Sequence, residues 1–384
     1  MSNEYLSERD VKTIKKAEAI LENLPYYIRQ FYDSKKSSKS ELTRLSYVQD
    51  LRTFLEYLAP IHHCEIKDFP FENFELLTAQ DINDYKEYLL EKYSEPSVKR
   101  KLASLSTFYK YLVIAGFVEK NPAAIIEWPQ ETKNRPIIYL DEEQTAKLLN
   151  GIKSNDKQIF YRDKENNLKK SSRAEKGYIR GKAGNKNWDY EVGDIDETTR
   201  RRRDRVRNRN YLITALFLKT GVRVSELVNI NIENIDFRNN IIMVTGKGNK
   251  VRPVGFGKGE IAEAMKEYIA ADRRALLNGN YQEPALFVSN AGKRISVRQI
   301  EDMIKEMVLT YLHDDESIPK RDFSPHKLRS SCATRLLKQT NGNIKGVSDL
   351  LGHESIDITA RRYAAIVKLE NAEAMAEYGI TESE

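Results

Sequence analysis

An apolar run that ends at Gly221 places the tightest limit on how this chain can fold. The segment Leu212–Leu218 reads as a buried helix, and glycine is favoured just past a helix end. Arg223 opens the next element, with Ser225 as a candidate cap and Glu226 placed to hold the guanidinium by paired hydrogen bonds. We therefore predict a packed helix that gives way at once to a charged turn.

A hairpin is predicted shortly after this turn. The apolar segment Ile241–Val244 reads as a strand, and a second strand returns through Val251 and Val254. The connecting turn Thr245–Asn249 places glycines on both sides of Lys247, as at the tip of a hairpin. A lysine at such a tip has a mobile side chain that can deliver a proton.

The C-terminal part of the chain carries further polar residues with a shared chemistry. Pro325 starts a predicted helix, and His326 and Arg329 project from one face of it, where both can address the same anion. An arginine fork matches two phosphate oxygens and keeps its charge at working pH. His353 and Tyr363 follow, so the sequence predicts phosphate-binding groups around one candidate tyrosine nucleophile.

These segments, in this order, resemble the tyrosine recombinase family, in particular its Xer-like and phage-integrase-like members. The matching motifs are Thr220–Leu227, Gly246–Lys250, His326–Arg329 and Leu351–His353. The segments Asn121–Ala123 and Trp128–Pro129 also resemble the family's junction between two domains, so the resemblance covers nearly the whole chain. It implies site-specific DNA cutting and rejoining through a 3′-phosphotyrosyl intermediate and a Holliday junction, in chromosome dimer resolution or in integration and excision of a mobile element.

The resemblance implies one role for each matching residue. Arg223 and Arg329 would clamp the phosphate, Lys247 would be the general acid, His326 and His353 would assist, Glu226 would be the buried support and Tyr363 the nucleophile. The spacing from His353 to Tyr363 is longer than in compact members, although integrase-type relatives share the longer form. The only later tyrosine, Tyr378, lies in a polar tail without phosphate-binding neighbours, so Tyr363 remains the predicted nucleophile.

The predicted reaction explains why these residue types occur together. A phenol with an ordinary pKa of about 10 is a weak nucleophile, so attack on a phosphodiester needs positive charge at the phosphoryl oxygens. Donors already aimed at developing charge typically contribute ~3 kcal/mol each. His326 would accept the phenolic proton, His353 would donate to the phosphate, and Lys247 would protonate the leaving 5′-oxygen. The phosphotyrosyl bond conserves the energy of the broken bond, so no nucleotide, other cofactor or metal is expected.

Helical periodicity predicts a mainly α fold with a small β-sheet. Helices are expected at Leu42–Leu58, Asp81–Tyr93 and Ser97–Ile114, and the segment Thr78–Asp81 caps the second of them. Asp141 with Gln144 marks the start of another helix.

The resemblance also implies a division into domains. An N-terminal, helical, SAM-like core-binding domain would span residues 1–128, and a linker would span 129–138. A mixed α+β catalytic domain would span 139–384. Basic residues of the first domain and of the hairpin would bind DNA phosphates, since basic side chains at helix N-termini suit such contacts. The predicted DNA-binding set is Arg44, Lys99, Arg100, Lys101, Lys250 and Arg252.

Residues from about 154 to 207 stand where the family has a short link. Apolar residues are few there, glycines and lysines are frequent, and the run Arg200–Arg203 lies near the end. This composition predicts a mobile segment, because it cannot bury enough apolar area to offset its ordering entropy. A solvated surface loop and a phosphate-binding segment both remain open, as does a short hairpin around Trp188 and Tyr190.

The partner implied by the resemblance is double-stranded DNA with paired recombination half-sites. A homo-tetramer, or a hetero-tetramer with a related recombinase, would hold it. The tail 371–384 carries Ala372, Met375 and Ala376 on one side, so we expect it to dock into a neighbouring protomer. The formal net charge of +6 favours an anionic partner only weakly.

The remaining features bear on cellular location. Cys64 and Cys332 are far apart without metal-binding spacing, which fits a reducing cytoplasm. The start of the chain lacks a basic segment followed by an apolar one, and no long apolar run occurs, so neither secretion nor membrane insertion is expected. We expect a cytoplasmic, nucleoid-associated protein.

Two other functions share part of this pattern. A nicking-closing enzyme of the topoisomerase IB type uses the same tyrosine chemistry but need not assemble, and the docking tail disfavours it. A non-catalytic DNA-binding relative is disfavoured by the complete residue set. Taken singly, Arg223 reads as a surface ion-pair residue, Lys247 as a turn lysine and Tyr363 as a packing residue; their joint order and spacing favour the recombinase.

Overall fold

A computed structural model describes residues 8–128, 137–162, 168–170, 190–246, 249–320 and 323–352, and positions 356, 359, 360 and 363. The chain divides into two compact units, Met1–Arg135 and Pro136–Glu384. Both are mainly helical, and short antiparallel sheets occur in the second. The predicted fold class, mainly α with a small amount of β-sheet, is confirmed. No helix within the described ranges has the length and apolar content needed to cross a membrane.

The first unit consists of helices joined by short turns. Its elements are α1 (Glu8–Leu21), α2 (Tyr26–Ser34), α3 (Glu41–Ile61), a 3₁₀ turn (Ile66–Asp68), α4 (Glu72–Leu76), α5 (Ala79–Lys92), α6 (Glu95–Ile114) and a second 3₁₀ turn (Pro122–Ala124). Helices α3, α5 and α6 are the ones that periodicity predicted, with ends that differ by a few residues.

Aromatic side chains form much of the apolar core of this unit. Phe31 and Phe74 both pack edge to face against Phe108, at ring-centroid distances of 5.2 Å and 5.5 Å, and all three are fully buried. Thr78 and Asp81 exchange side-chain and backbone hydrogen bonds at the start of α5, which confirms the predicted capping box. The start of α5 is therefore set by hydrogen bonds within one turn of the chain.

The second unit combines helices with two short sheets. Its elements are α7 (Glu142–Ser154), β1 (Lys157–Arg162), β2 (Leu168–Lys170), β3 (Tyr190–Asp194), α8 (Glu197–Thr220), α9 (Val224–Val228), a 3₁₀ turn (Ile232–Asn234), β4 (Ile235–Asp236), β5 (Ile241–Thr245), β6 (Val251–Gly255), α10 (Glu260–Glu267), a π-helical turn (Tyr268–Asp272), α11 (Arg273–Leu276), α12 (Val297–Tyr311), α13 (Pro325–Gln339) and α14 (Ile344–Leu351). Asp141 and Gln144 form the predicted capping box at the start of α7.

Helix α8 lies in the core of the second unit and ends where the sequence predicted. Its apolar half, Leu212–Leu218, is buried. Gly221 follows with φ of +60°, and its backbone N–H donates to the carbonyl of Phe217. A Cβ at this position would lie 2.6 Å from Leu351 Cδ2, so both the backbone conformation and the available space require glycine.

The predicted hairpin is confirmed as part of the sheet β4–β5–β6. Strands β5 and β6 are antiparallel, with Ile242 opposite Val254 and Val244 opposite Arg252. The side chains of Ile242, Val244 and Val254 are buried, so one face of the hairpin packs on the core. This packing therefore holds the two strands that flank the turn.

The prediction of a mobile loop over residues 154–207 is wrong for much of that range. Strand β1 pairs antiparallel with both β2 and β3, and Ile159 on β1 is buried. Helix α8 begins at Glu197 and includes the run Arg200–Arg203. Local composition missed the sheet because β1 pairs with a strand that lies far along the chain. Of the suggested hairpin, Tyr190 begins β3, and Trp188 lies outside the described residues.

Candidate active site

A buried carboxylate lies at the centre of the predicted site. Glu226 on α9 is 2% exposed. Its Oε1 accepts from Arg223 Nη1 at 2.7 Å, and its Oε2 accepts from the Arg223 backbone N–H at 2.8 Å and from Arg252 Nη2 at 2.9 Å. Burial alone raises the pKa of this carboxyl, but the hydrogen bonds and the two guanidinium charges bring it below its ordinary value. Glu226 is therefore ionised at neutral pH and fixes two arginines.

The local sequence explains this arrangement. Arg223 itself occupies the N-cap position of α9, so the prediction that Ser225 caps the helix is wrong. Glu226, three residues after Arg223, accepts the free backbone N–H in the way that the acid of a capping box does. One carboxylate therefore both starts the helix and holds the guanidinium.

The C-terminal end of α14 receives a guanidinium on each of three consecutive carbonyls. Arg252 Nη1 donates to Leu350 at 2.8 Å, Arg329 Nη2 to Leu351 at 2.7 Å and Arg223 Nη2 to Gly352 at 2.7 Å. The last carbonyls of a helix lack partners within it and carry a partial negative charge. They hold the arginines in place without cancelling a full positive charge.

Arg329 is the most deeply buried of these arginines. It is 4% exposed on α13, and its Nη1 also donates to the carbonyl of Gly221 at the end of α8. Burial lowers the pKa of Arg329 to about 10, and the charge of Arg223 adds to this effect. The group is still protonated at neutral pH. A bound anion would relieve the cost of keeping this charge out of water.

Tyr363 lies beside this group. It is 2% exposed. It packs in a small apolar cluster with Ala333, Leu337, Val347 and Leu351. A charge on its phenol would raise the pKa of Arg329, and Leu351 of the same cluster presents its carbonyl to Arg329. His326 is exposed at the start of α13, on the same helix as Arg329.

Two of the predicted catalytic residues, Lys247 and His353, lie outside the described residues. The backbone beside Lys247 is described: the Gly246 N–H donates to the Lys250 carbonyl at 2.8 Å. A Cβ at Gly246 would lie 3.3 Å from Glu226 Oε1. The turn between β5 and β6 therefore starts against the central carboxylate. Among the described residues, His, Cys, Asp and Glu side chains form no group that could hold a metal ion.

Two basic residues that were predicted to bind DNA are buried in contacts within the first unit. Arg44 is 3% exposed, donates to Glu41 at 2.7 Å and stacks on the ring of Tyr32. Lys101 is also buried and donates to Asp50 at 3.3 Å. Arg44 points inward because an acidic neighbour, Glu41, and the ring of Tyr32 contact its guanidinium.

The other predicted DNA-binding residues differ in exposure. Arg100 is exposed but donates to Asp50, and Lys99 is partly exposed. Lys250 is exposed at the turn of the hairpin. Arg252 turns inward to Glu226 and α14. The local sequence could not predict this placement, because Leu350, whose carbonyl accepts from Arg252, lies 98 residues further along the chain.

Comparison with known proteins places both units in one family. The model of the phage integrase family matches residues 191–370, and the model of the phage integrase N-terminal SAM-like domain matches residues 28–116. A tyrosine recombinase XerC of Caldanaerobacter subterraneus is 29% identical over 365 residues, which cover 90% of this chain and 86% of the relative. A tyrosine recombinase XerC of Thermodesulfovibrio yellowstonii is 27% identical over 341 residues, covering 88% and 91%.

Solved structures agree on the fold. The XerH site-specific recombinase bound to a palindromic difH substrate superposes with a TM-score of 0.62 at 17% identity, covering 98% of this chain and 92% of that one. A transposon integrase in complex with transposon right-end DNA gives a TM-score of 0.59 at 18% identity, covering 91% and 98%. The family that the order of the motifs predicted is thereby confirmed, and the chain belongs to the phage integrase family of tyrosine-type site-specific DNA recombinases.

Proposed function

We propose that the second unit cuts and rejoins DNA strands with Tyr363 as the nucleophile and with Arg223 and Arg329 as the phosphate clamp. The observation that carries this proposal is the convergence of both arginines on the end of α14. Arg223 is held by the buried Glu226 and a neutral carbonyl, and Arg329 is held by two neutral carbonyls, so positive charge is left over for an anion. Tyr363 packs against Leu351, whose carbonyl Arg329 holds, which supports a shared site.

The charge balance of the site favours a phosphodiester. Three guanidinium groups, from Arg223, Arg252 and Arg329, surround one carboxylate, Glu226. Arginine donors that are already in place need no reorganisation when charge develops on the phosphoryl oxygens. Each such donor typically contributes ~3 kcal/mol to the stabilisation of a transition state.

The reaction follows from these positions together with the family's chemistry. The phenolic oxygen of Tyr363 forms a bond to phosphorus, and the bond from phosphorus to the 5′-oxygen breaks. His326 accepts the phenolic proton, His353 donates a hydrogen bond to the phosphate, and Lys247 gives a proton to the departing 5′-oxygen. The 3′-phosphotyrosyl bond that results is as energetic as the one lost, so the hydroxyl of a second strand reverses the step.

Assembly on DNA completes the proposal. Residues 1–128 would act as the core-binding domain, 129–138 as the linker and 139–384 as the catalytic domain. Four protomers, alike or shared with a related recombinase, would hold two duplexes with paired half-sites and exchange strands through a Holliday junction. The tail 371–384 would dock onto the next protomer, and the protein would work in the cytoplasm at the nucleoid.

Covalent trapping on nicked DNA tests the proposal directly. The wild-type chain should form a protein–DNA adduct that resists denaturation, with the strand joined through its 3′-phosphate. Tyr363→Phe removes only the attacking oxygen, so adduct formation should disappear while specific DNA binding stays within a few-fold. An adduct from the Phe variant would reject Tyr363. Relaxation of supercoiled DNA by single protomers without recombination would instead favour a nicking-closing enzyme.

A further inference from the structure

The Arg252 side chain joins three parts of the second unit. It extends from β6, where the residue lies opposite Val244, and it is 19% exposed. Nη2 donates to Glu226 at 2.9 Å and Nη1 donates to the carbonyl of Leu350 at 2.8 Å. Arg252 therefore connects the hairpin both to the carboxylate that orients Arg223 and to the helix end that precedes the tyrosine.

The space for this connection depends on a glycine. A Cβ at Gly352 would lie 2.7 Å from Arg252 Nε and 3.1 Å from its Cδ, so the guanidinium stem passes directly over the backbone. The Nε group itself is buried without an acceptor among the described residues. The two Nη groups therefore make the hydrogen bonds by which this side chain contacts its neighbours.

The remaining contacts show which part of the site depends most on Arg252. Without it, Arg223 still has its bonds to Glu226 and Gly352, and Arg329 still has its bonds to Gly221 and Leu351. The phosphate clamp is thus held independently. The hairpin, in contrast, loses its side-chain ties both to the carboxylate and to α14. The turn that follows β5 leads directly into Lys247, so this loss affects the chain that carries the predicted proton donor.

We infer that Arg252 is a positioning residue for strand cleavage, which anchors the β5–β6 hairpin so that the leaving 5′-oxygen is protonated. This inference rests on the proposed function. It assigns Arg252 an internal role instead of the DNA contact that its sequence predicted. Its effect on catalysis should therefore pass through the leaving group and not through phosphate binding.

Single-turnover cleavage on two substrates tests this assignment. Arg252→Met keeps much of the stem and removes both Nη donors. We expect it to slow cleavage of ordinary DNA by ~10²-fold, the lower end of what a general acid contributes, and to cleave a 5′-bridging phosphorothiolate at nearly the wild-type rate, because sulfur leaves without a proton. Arg252→Lys retains one donor and should recover part of the rate on ordinary DNA. Arg238→Met, at an exposed arginine in the turn that joins β4 to β5, serves as the matched control and should cleave both substrates normally.

The outcomes separate the inference from the function on which it rests. Equal slowing on both substrates, or no slowing on either, would overturn the positioning role. If Arg252→Met binds DNA more weakly but cleaves normally at saturating protein, Arg252 contacts DNA, as its sequence predicted, and does not position the hairpin. The rates of Arg252→Met are comparable with those of the wild type only if its thermal unfolding lies within a few degrees of the wild type. If Arg252→Met unfolds at a lower temperature, the two substrates are compared with Arg252→Lys instead. Failure of the wild-type chain to form any adduct would instead reject the proposed function.

Discussion

Among the described residues, each unit has a carboxylate that is buried beside basic side chains, Asp50 in the first and Glu226 in the second. Asp50 is 1% exposed and accepts from Arg100, from Lys101 at 3.3 Å and from the Ser104 hydroxyl at 2.7 Å. All three donors lie on α6, and Asp50 lies on α3. This cluster therefore pairs two helices of a core.

The cluster around Glu226 has the same ingredients and a different balance. Its arginines come from a helix cap and from a hairpin, and each also donates to a carbonyl at the end of α14. Arg329 joins the same helix end and adds a further charge. Carbonyls hold guanidinium groups by partial charges and so leave their full charges available. The difference teaches that helix-end carbonyls, more than the carboxylate, turn a buried ion cluster into a site that can accept an anion.

Of the following substitutions, the one at Arg329 should have the largest effect. We expect it to lower the cleavage rate and not the stability. Arg329→Met should lower the cleavage rate by up to ~10³-fold, or about 4 kcal/mol, because it removes one of the two donors that we propose to bind the phosphoryl oxygens. Its stability should stay constant or rise, since burial of the charge has already lowered its pKa to about 10. Quenched-flow cleavage and urea unfolding measure the two quantities. Strong destabilisation with normal cleavage would mean that the cluster around Glu226, like the cluster around Asp50, only stabilises the fold.

Removing the charge of Asp50 should have the opposite signature. Asp50→Asn leaves Lys101 buried without its counter-ion, so the free energy of unfolding should fall by ~3 kcal/mol. Cleavage by the molecules that remain folded should be unchanged. Urea unfolding gives the first quantity, and the rate per adduct-competent protein gives the second. A rate defect as large as that of Arg329→Met would show that the first unit takes part in the chemistry.

The pH dependence of stability should identify the contribution of Glu226. Its pKa is lower in the folded chain than its ordinary value of about 4.3, so its ion pairs add stability above that value and lose it as the pH falls through the lower, folded-state pKa. Glu226→Gln cannot titrate and should cost about 2 kcal/mol at neutral pH. The difference in unfolding free energy between wild type and variant should shrink below about pH 4. A difference that stays constant from neutral to acid pH would contradict this assignment.

An exposed pair on α3 provides the smallest expected change. Arg52 donates to Glu56 at 2.8 Å with both side chains exposed, one turn apart on the helix. Arg52→Ala should alter the free energy of unfolding by about 0.5 kcal/mol or less. Urea unfolding of this variant and of Asp50→Asn compares an exposed ion pair within α3 with a buried one that links α3 to α6. A loss as large as that of Asp50→Asn would mean that burial does not set the difference.

Local signals predicted some parts of this structure well. Gly221 stops α8 and the capping boxes at Thr78 and Asp141 start helices, because each depends on residues within one turn. The inward positions of Arg44 and Lys101 were missed, since they depend on which acidic and aromatic side chains tertiary packing brings near them. A clue existed for the latter, as Asp50 interrupts the apolar stripe of α3 and needs a buried cation.

The site shows the same division between local and distant information. The pairing of Glu226 with Arg223 is local and was predicted, because Glu226 lies three positions after Arg223. The contacts of Arg252 and Arg329 with α14 were not, because carbonyl acceptors at a helix end have no signature in side-chain type. The sheet formed by β1, β2 and β3 was missed for a related reason, since β1 pairs not only with the nearby β2 but also with β3, where Tyr190 lies opposite Tyr161.

Gly352 illustrates what this arrangement means for genetic data. Its φ is +66°, its carbonyl holds Arg223, and the missing Cβ leaves room for Arg252. Saturation mutagenesis scored by recombination should therefore rank this glycine beside the tyrosine and the arginines, although it offers no functional group to the substrate. A map of intolerance in this chain would mark the backbone that receives the catalytic side chains as well as the side chains themselves.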